Sequence, residues 1–196
     1  KSIAEEYTNR LINALKLLKV CEPHEKECDM GPLVSEQAAC EVENKVNQTI
    51  KQGARCVFGG KRYNKTYFEP TVLKDVTADM DIAKDMEIFG PVVPIIEFEE
   101  NDEAIKIANQ TKYGLSGGVI GRDIKAALST ALKLESGTTV VNGCGDYRTL
   151  YTPFGGHKMS GIGTEGLMLT LEEMMLTKCV ALKGIVEESV SESVLR

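Results

Sequence analysis

The fold is organised around one stretch of ten residues, Glu87-Ile-Phe-Gly-Pro-Val-Val-Pro-Ile-Ile96, in which an acid and an aromatic residue precede a Gly-Pro pair and an apolar strand. Gly90 can adopt backbone angles closed to other residues, Pro91 fixes its own φ, and a residue before proline is pushed out of the helical region. We therefore expect Glu87 and Phe89 to be held with little freedom. Preordered groups at the end of a buried strand suit a small-molecule site. The alternative for Glu87 is a solvated glutamate with no role.

The composition is that of an ordinary globular protein. The chain has 196 residues, of which 42% are hydrophobic, and a net charge of -6. Its lysines and arginines are scattered, which argues against a nucleic-acid groove or a polybasic membrane surface. The longest apolar runs, such as 91–96, fall short of the roughly 20 residues that span a bilayer, and the first residues are not those of a signal peptide. We expect a soluble, cytoplasmic protein with neither nucleic acid nor membrane as a partner.

The six cysteines are predicted to be reduced thiols. They are Cys21, Cys28, Cys40, Cys56, Cys144 and Cys179. No two of them have the C-x-x-C spacing, and the two histidines, His24 and His157, are isolated in sequence. Neither a disulfide framework nor a metal site is therefore expected.

Hydrophobic periodicity predicts alternating helices and strands. The predicted helices cover 3–20, 36–52, 102–111 and 124–135, with one more ending at residue 175. The predicted strands cover 55–58, 92–98, 138–142 and 178–182, and residues 113–120 are predicted to be a turn that leads into a strand. Such alternation indicates an α/β fold with a mainly parallel sheet flanked by helices. Ligands usually bind at the carboxyl ends of parallel strands, where Asn142 and the loop up to Pro153 would lie.

A glycine pattern at residues 161–166, Gly-Ile-Gly-Thr-Glu-Gly, matches the dinucleotide-binding fingerprint G-x-G-x-x-G. The fingerprint requires a buried strand immediately before it, whereas Pro153 and two glycines precede this match. We expect instead a glycine turn that lets the backbone pass close to another element.

The loop between residues 142 and 153 contains two candidate functional side chains. Arg148 could bind a substrate carboxylate or phosphate through its guanidinium, or it could pair with Asp146. Cys144 lies in the same loop, but no histidine or lysine nearby in sequence would lower its pKa, which argues against a nucleophile.

Several motifs together resemble the aldehyde dehydrogenase superfamily over nearly the whole chain. They are Met30-Gly-Pro-Leu33, Glu87-Ile-Phe-Gly-Pro91, Tyr113-Gly-Leu-Ser116, Asn142 and Pro153-Phe-Gly-Gly-x-Lys158-x-Ser160-Gly161. The resemblance implies that Glu87 hydrogen-bonds the nicotinamide ribose of NAD or NADP and that Phe89 packs beside the same end of the cofactor. It implies that Phe154 lies near the substrate funnel.

The resemblance also implies that part of the enzyme is missing. The family's nucleophilic cysteine, its general-base glutamate and its adenine-binding half precede the matched region. We therefore expect no catalytic residue here and an inactive fragment, with residues 1–176 forming the C-terminal part of the catalytic domain. Residues 177–185 would be an oligomerisation strand that joins a partner subunit's sheet, so that the whole protein is a homo-oligomer, a dimer or tetramer. Residues 186–196 would be a flexible tail.

The substrate is expected to be a small aldehyde. The loop before P-F-G-G resembles the branch that acts on semialdehydes and small hydroxyaldehydes, which would give Arg148 an anionic partner. The rival hypothesis is a non-catalytic relative that keeps the sheet and the terminal strand as a subunit-association module.

Overall fold

The structure, a computed structural model, describes residues 1–184, which contain five α-helices, one 3₁₀ turn and eleven short strands. In chain order they are α1 (Ala4–Leu15), α2 (Glu36–Lys51), β1 (Arg55–Phe58), β2 (Arg62–Tyr63), β3 (Tyr67–Phe68), β4 (Thr71–Lys74), a 3₁₀ turn (Asp81–Ala83), β5 (Val92–Pro94), α3 (Asn101–Asn109), β6 (Tyr113–Gly114), β7 (Ser116–Val119), α4 (Ile124–Ala131), β8 (Thr138–Val141), β9 (Phe154–Gly155), β10 (His157–Lys158), β11 (Thr164–Glu165) and α5 (Leu167–Met174).

Side-chain caps fix the starts of two helices. The Ser35 hydroxyl accepts the backbone N–H of Ala38 at 3.1 Å and begins α2. Asp123 does the same for α4, accepting the N–H groups of Lys125 and Ala126 at 2.9 and 3.1 Å. Both satisfy donors that have no partner within the helix.

The core lies between α2 and the sheet formed by β1, β4 and β5. All four residues of β4 are buried, as expected for the central strand of the order β1-β4-β5. From α2, Val42 and Val46 pack into this core, where they meet Phe68 and Leu73. The side chains of these four residues are fully buried, so this cluster supplies the main hydrophobic stabilisation of the described chain.

The strands do not form the single, mainly parallel sheet that the alternation predicts. Parallel pairing occurs between β4 and β5 and between β7 and β8. The other four ladders in residues 1–184 are antiparallel: β1 with β4, β2 with β3, β6 with β10, and β9 with β11. Of these, only β2 and β3 are joined by a short turn, whereas β6 and β10 meet across α4 and β8, a long-range pairing that the local pattern does not encode. The α/β composition itself is as predicted.

The predicted oligomerisation strand is not a strand within this single chain. Residues 177–183 carry no strand assignment and are exposed, and α5 before them buries none of its residues. A strand that pairs only across a subunit boundary has no partner here, so its backbone groups stay unpaired. Residue 185 and the predicted tail, 186–196, lie outside the described residues.

No helix within residues 1–184 combines the length and the apolar character needed to cross a membrane.

Candidate functional site

The backbone of the E-I-F-G-P segment is constrained, but not in the way the sequence indicates. The left-handed φ belongs to Phe89, at +52°, whereas Gly90 is outside that region. Gly90 is needed for a different reason, because a Cβ at that position would come within 2.6 Å of the Val42 side chain. A non-glycine residue with φ above zero is uncommon and is concentrated at functional sites.

Helix α2 holds this segment in place. The Lys45 Nζ donates a hydrogen bond to the backbone carbonyl of Glu87 at 2.7 Å, and Val42 packs under Gly90. On the other side, the Pro91 carbonyl accepts the N–H of Thr71 at 2.8 Å, which extends the ladder between β4 and β5. Glu87 and Phe89 therefore sit on a fixed backbone, as predicted.

Both candidate cofactor-binding side chains point away from the core. Glu87 is exposed, and Phe89 is 77% exposed. A phenylalanine exposed to this degree on a strained backbone is not there for packing within this chain. It is available to a ligand or to another polypeptide segment.

Glu87 borders a cavity of about 570 Å³. The other lining residues come from the segment after the 3₁₀ turn, the end of α3, β6 with the start of β7, the turn before β8, and the two residues just before the glycine pattern at 161–166. They include Lys84, Met86, Asn109, Tyr113, Leu115, Ser116, Ser136, Met159 and Ser160. The volume is in the usual range for a small-molecule site, and the hydroxyls supply convergent polar groups.

Phe154 borders a second, adjacent cavity. Leu115 and Ser160 line both this cavity and the one at Glu87. The two cavities therefore share a wall, and the sequence-predicted residues Glu87 and Phe154 are brought to opposite sides of it. Phe89 lines neither cavity.

Arg148 and Phe154, the two candidate substrate-binding residues, are in direct contact. The guanidinium Cζ of Arg148 lies 3.1 Å from the centroid of the Phe154 ring, a cation–π arrangement. Asp146, the alternative partner for Arg148, instead accepts a hydrogen bond from the Cys144 thiol. The Arg148 guanidinium is exposed and oriented by an aromatic face, which leaves its N–H groups available to an anion.

Cys144 is not an activated thiol. Its hydrogen bond to the Asp146 carboxylate raises the pKa of the Cys144 thiol above its usual value. A raised pKa reduces the fraction of thiolate, the nucleophilic form, at neutral pH. Within residues 1–184, no group of three His, Cys, Asp or Glu side chains is arranged to hold a metal ion.

The glycine-rich segment is a close backbone crossing, as the sequence indicates. Thr164 of β11 pairs with Gly155 of β9, and a Cβ on Gly155 would come within 2.6 Å of the Gly163 carbonyl. The strand before the G-x-G-x-x-G match, β10, has two exposed residues and is not the buried strand of a dinucleotide fold.

Two residues that the sequence analysis left without a role, Lys158 and Ser160, fix the wall of the Glu87 cavity. The Lys158 Nζ donates to the carbonyls of Asn109 and Thr111 at 2.7 and 3.0 Å and pairs with Glu135 at 2.7 Å. The Ser160 hydroxyl accepts the N–H of Gly114 at 2.9 Å. The signal that could have revealed them is their fixed spacing after Phe154-Gly155-Gly156.

Asn142 links the ends of two parallel strands. It follows β8 with φ at +57°, and its side-chain oxygen accepts the N–H of Gly121, just after β7, at 2.9 Å. The predicted position at the carboxyl ends of the strands is therefore correct. In this chain Asn142 ties the end of β8 to the end of β7, since its own N–H also donates to the Val119 carbonyl at 2.7 Å.

One protein family matches nearly the whole chain. The model of the aldehyde dehydrogenase family matches residues 1–180. A lactaldehyde dehydrogenase of Methanococcus maripaludis is 37% identical over 185 residues, which are 94% of this chain and 39% of that protein. The chain thus spans about two fifths of the length of the curated relatives it matches.

Solved structures show the same relationship. The glyceraldehyde-3-phosphate dehydrogenase GapN of Methanocaldococcus jannaschii, complexed with NADP, superposes with a TM-score of 0.84 at 40% identity, covering 89% of this chain and 37% of that one. Aldehyde dehydrogenase 21 of Physcomitrella patens, complexed with its reaction product succinate, gives 0.89 at 32% identity, covering 95% and 38%. From its motifs, its fold and the family match over residues 1–180, we conclude that this chain belongs to the aldehyde dehydrogenase family.

Proposed function

We propose that this chain forms the nicotinamide-ribose side and one wall of the substrate funnel of an NAD(P)-dependent aldehyde dehydrogenase. The observation that carries the proposal is the pair of adjacent cavities, one bordered by Glu87 and the other by Phe154, with Leu115 and Ser160 in the shared wall. A cofactor bound at Glu87 and an aldehyde bound at Phe154 would meet at that wall.

The cofactor is NAD or NADP, which accepts the hydride when an aldehyde is oxidised to an acid. The exposed Glu87 carboxylate would accept hydrogen bonds from ribose hydroxyls, and the exposed ring of Phe89 would pack beside the nicotinamide end. Because the Glu87 backbone is fixed by Lys45 and the β4–β5 ladder, little ordering entropy would be lost on binding.

The nucleophile is proposed to lie in polypeptide outside these residues. Formation of a thiohemiacetal requires a thiolate that attacks the aldehyde carbon. Cys144, in the loop before P-F-G-G, does not meet this requirement, because its hydrogen bond to Asp146 raises the pKa of its thiol. The general base and the adenine-binding half would lie there as well. The chain alone is accordingly expected not to oxidise aldehydes.

We propose that the substrate is a small aldehyde with an anionic or hydroxyl-bearing end. Arg148 is held against Phe154, and a carboxylate in the funnel would accept its N–H groups in a two-pronged contact. The relatives are consistent with this class, since one is a lactaldehyde dehydrogenase and another has succinate bound as its product.

The test uses a hybrid enzyme, in which residues 1–180 replace the matched segment of the Methanococcus maripaludis lactaldehyde dehydrogenase. In the hybrid, Arg148→Ala should raise KM for succinate semialdehyde at least tenfold and change KM for butanal little, because a charge-assisted hydrogen bond contributes about 1.5–3 kcal/mol. Lys51→Ala, which removes a charge from the last turn of α2, is the matched control and should change neither value. Equal effects of Arg148→Ala on both aldehydes would rule out the anchor.

One observation favours a second function, that of a subunit-association module without chemistry. The segment after α5 exposes large apolar side chains, among them Leu176, Val180 and Leu182. An extended apolar segment with unpaired backbone groups is a template for pairing with a second copy. Light scattering on the purified chain separates the alternatives, since a monomer at all concentrations would contradict a self-associating module.

A further inference from the structure

The loop between α1 and α2 brings two cysteines together. Its ends are joined by a bridge between Val20 and Met30, and the Cys21 N–H donates to the Met30 carbonyl at 3.1 Å. The Lys19 N–H donates to the Asp29 carboxylate at 2.9 Å. Cys21 and Cys28 are thus carried on two backbone segments that lie side by side.

The sulfur atoms lie at the centre of this loop. The Cys28 thiol donates to the carbonyl of Cys21 at 3.1 Å and also approaches the Met30 carbonyl at 3.4 Å. The Cys21 thiol points to the carbonyl of Lys19 at 3.5 Å. Contact with the Cys28 thiol, followed by burial, raises the pKa of Cys21 to about 11. Both residues are half-buried free cysteines.

The remaining thiols with contacts in the described chain have other partners. The Cys56 thiol donates to the carbonyls of Phe58 and Gly59, and the Cys144 thiol donates to Asp146. A zinc site is not formed at the loop, since residues 1–184 contain no cluster of three ligating side chains. The Cys28 thiol lies against the backbone of Cys21 in a loop whose two sides are joined, and two cysteines carried this close together are placed to close to a disulfide.

We propose that Cys21 and Cys28 form a reversible disulfide, a redox modification site of this chain. In exchange with a small disulfide such as oxidised glutathione, the Cys28 thiolate attacks the disulfide and releases one glutathione thiol, because the raised pKa of Cys21 disfavours the Cys21 thiolate. The second thiol of the pair then attacks the mixed disulfide and releases the other. Two S–H bonds are replaced by one S–S bond, and the two electrons and two protons leave with the two glutathione molecules.

The bridge would act on the loop and not on the candidate active site. No residue of the loop between α1 and α2 lines the cavity at Glu87. Glu22, which follows Cys21, accepts a hydrogen bond from the Tyr67 hydroxyl at 2.6 Å, so the loop is anchored to β3. A disulfide here closes a short ring within a loop that is already ordered, which favours its formation without a change of fold.

Tryptic mapping tests the proposal, because Lys26 lies between the two cysteines. Cleavage after Lys19, Lys26 and Lys45 gives the peptides 20–26 and 27–45, and the second also contains Cys40. The experiment therefore uses the whole chain with Cys40→Ser. After incubation with oxidised glutathione and alkylation of free thiols, the two peptides should be found joined, two hydrogens lighter than their sum, and should separate on reduction.

The matched control is Cys28→Ser in the same background. It should give a glutathione adduct on peptide 20–26 and no joined peptide. The proposal is overturned if the Cys40→Ser chain instead carries glutathione adducts or alkylated thiols on both peptides without a joined product, or if the joined product contains Cys56, Cys144 or Cys179.

Discussion

At the residue scale, the E-I-F-G-P segment shows what a sequence can and cannot predict. The rigidity of Glu87 and Phe89 was predictable, because a Gly-Pro pair limits the backbone in any context. The assignment of the unusual φ to Gly90 was wrong, since Phe89 carries it. Gly90 is required by the approach of α2, a contact between residues 48 positions apart that no local pattern encodes.

Replacing Gly90 tests this contact. Gly90→Ala would place a Cβ 2.6 Å from the Cγ2 of Val42, whose side chain is 1% exposed and cannot move freely. We expect a loss of about 2 kcal/mol in the free energy of unfolding, measured by urea denaturation. Gly163→Ala is the matched control, because nothing lies within 4 Å of its Cβ position, and it should be nearly neutral.

A double variant distinguishes a clash from a backbone effect. If the clash is the cause, Gly90→Ala combined with Val42→Ala should lose less stability than the two single changes added together, since the smaller side chain makes room for the new methyl group. Strict additivity would mean that the penalty at Gly90 comes from its backbone conformation.

At the element scale, the positions of the helices and strands were largely predictable and their pairing was not. Strand 55–58 is as the sequence indicates, because it depends on neighbours in the chain. The predicted strand 92–98 ends early, at Pro94, and the helix predicted over 3–20 ends at Leu15. Pairing between strands depends on contacts distant in sequence, which explains why a mainly parallel sheet was expected and a set of small sheets is present.

The end of α3 offers an element-scale prediction. Its last residue, Asn109, and Thr111 beyond it have carbonyls that accept hydrogen bonds from Lys158, whose side chain is 23% exposed. Lys158→Met keeps the length of the side chain but removes this donor. The free energy of unfolding should fall by about 2 kcal/mol, the typical contribution of hydrogen bonds to a charged group.

Lys133→Met is the matched control for that change. Lys133 forms an exposed ion pair with Asp102, which lies on α3 like Asn109. Ion pairs of this kind contribute less than about 1 kcal/mol to the free energy of unfolding. Equal losses for the two variants in urea denaturation would show that Lys158 is no more than another surface charge.

At the scale of the whole molecule, the exposed apolar surface is the feature that the sequence did not reveal. More than two-thirds of the surface is exposed for each of four large apolar residues, Phe89, Tyr151, Leu176 and Val180. Large apolar side chains exposed to this degree are available to other polypeptide or to a ligand. They agree with a chain that spans about two fifths of the length of its relatives.

The central claim is that Glu87 orients a nicotinamide cofactor in the assembled enzyme, and Glu87→Gln in the hybrid enzyme tests it most directly. Glu87→Gln removes the charge but keeps the size of the side chain, so kcat/KM for the cofactor should fall about tenfold or more, as expected for the loss of a charge-assisted hydrogen bond. Glu100→Gln, at an exposed position that makes no cap hydrogen bond, is the control and should leave it unchanged. A Glu87→Gln hybrid with the same cofactor kcat/KM as the parent hybrid would contradict the account.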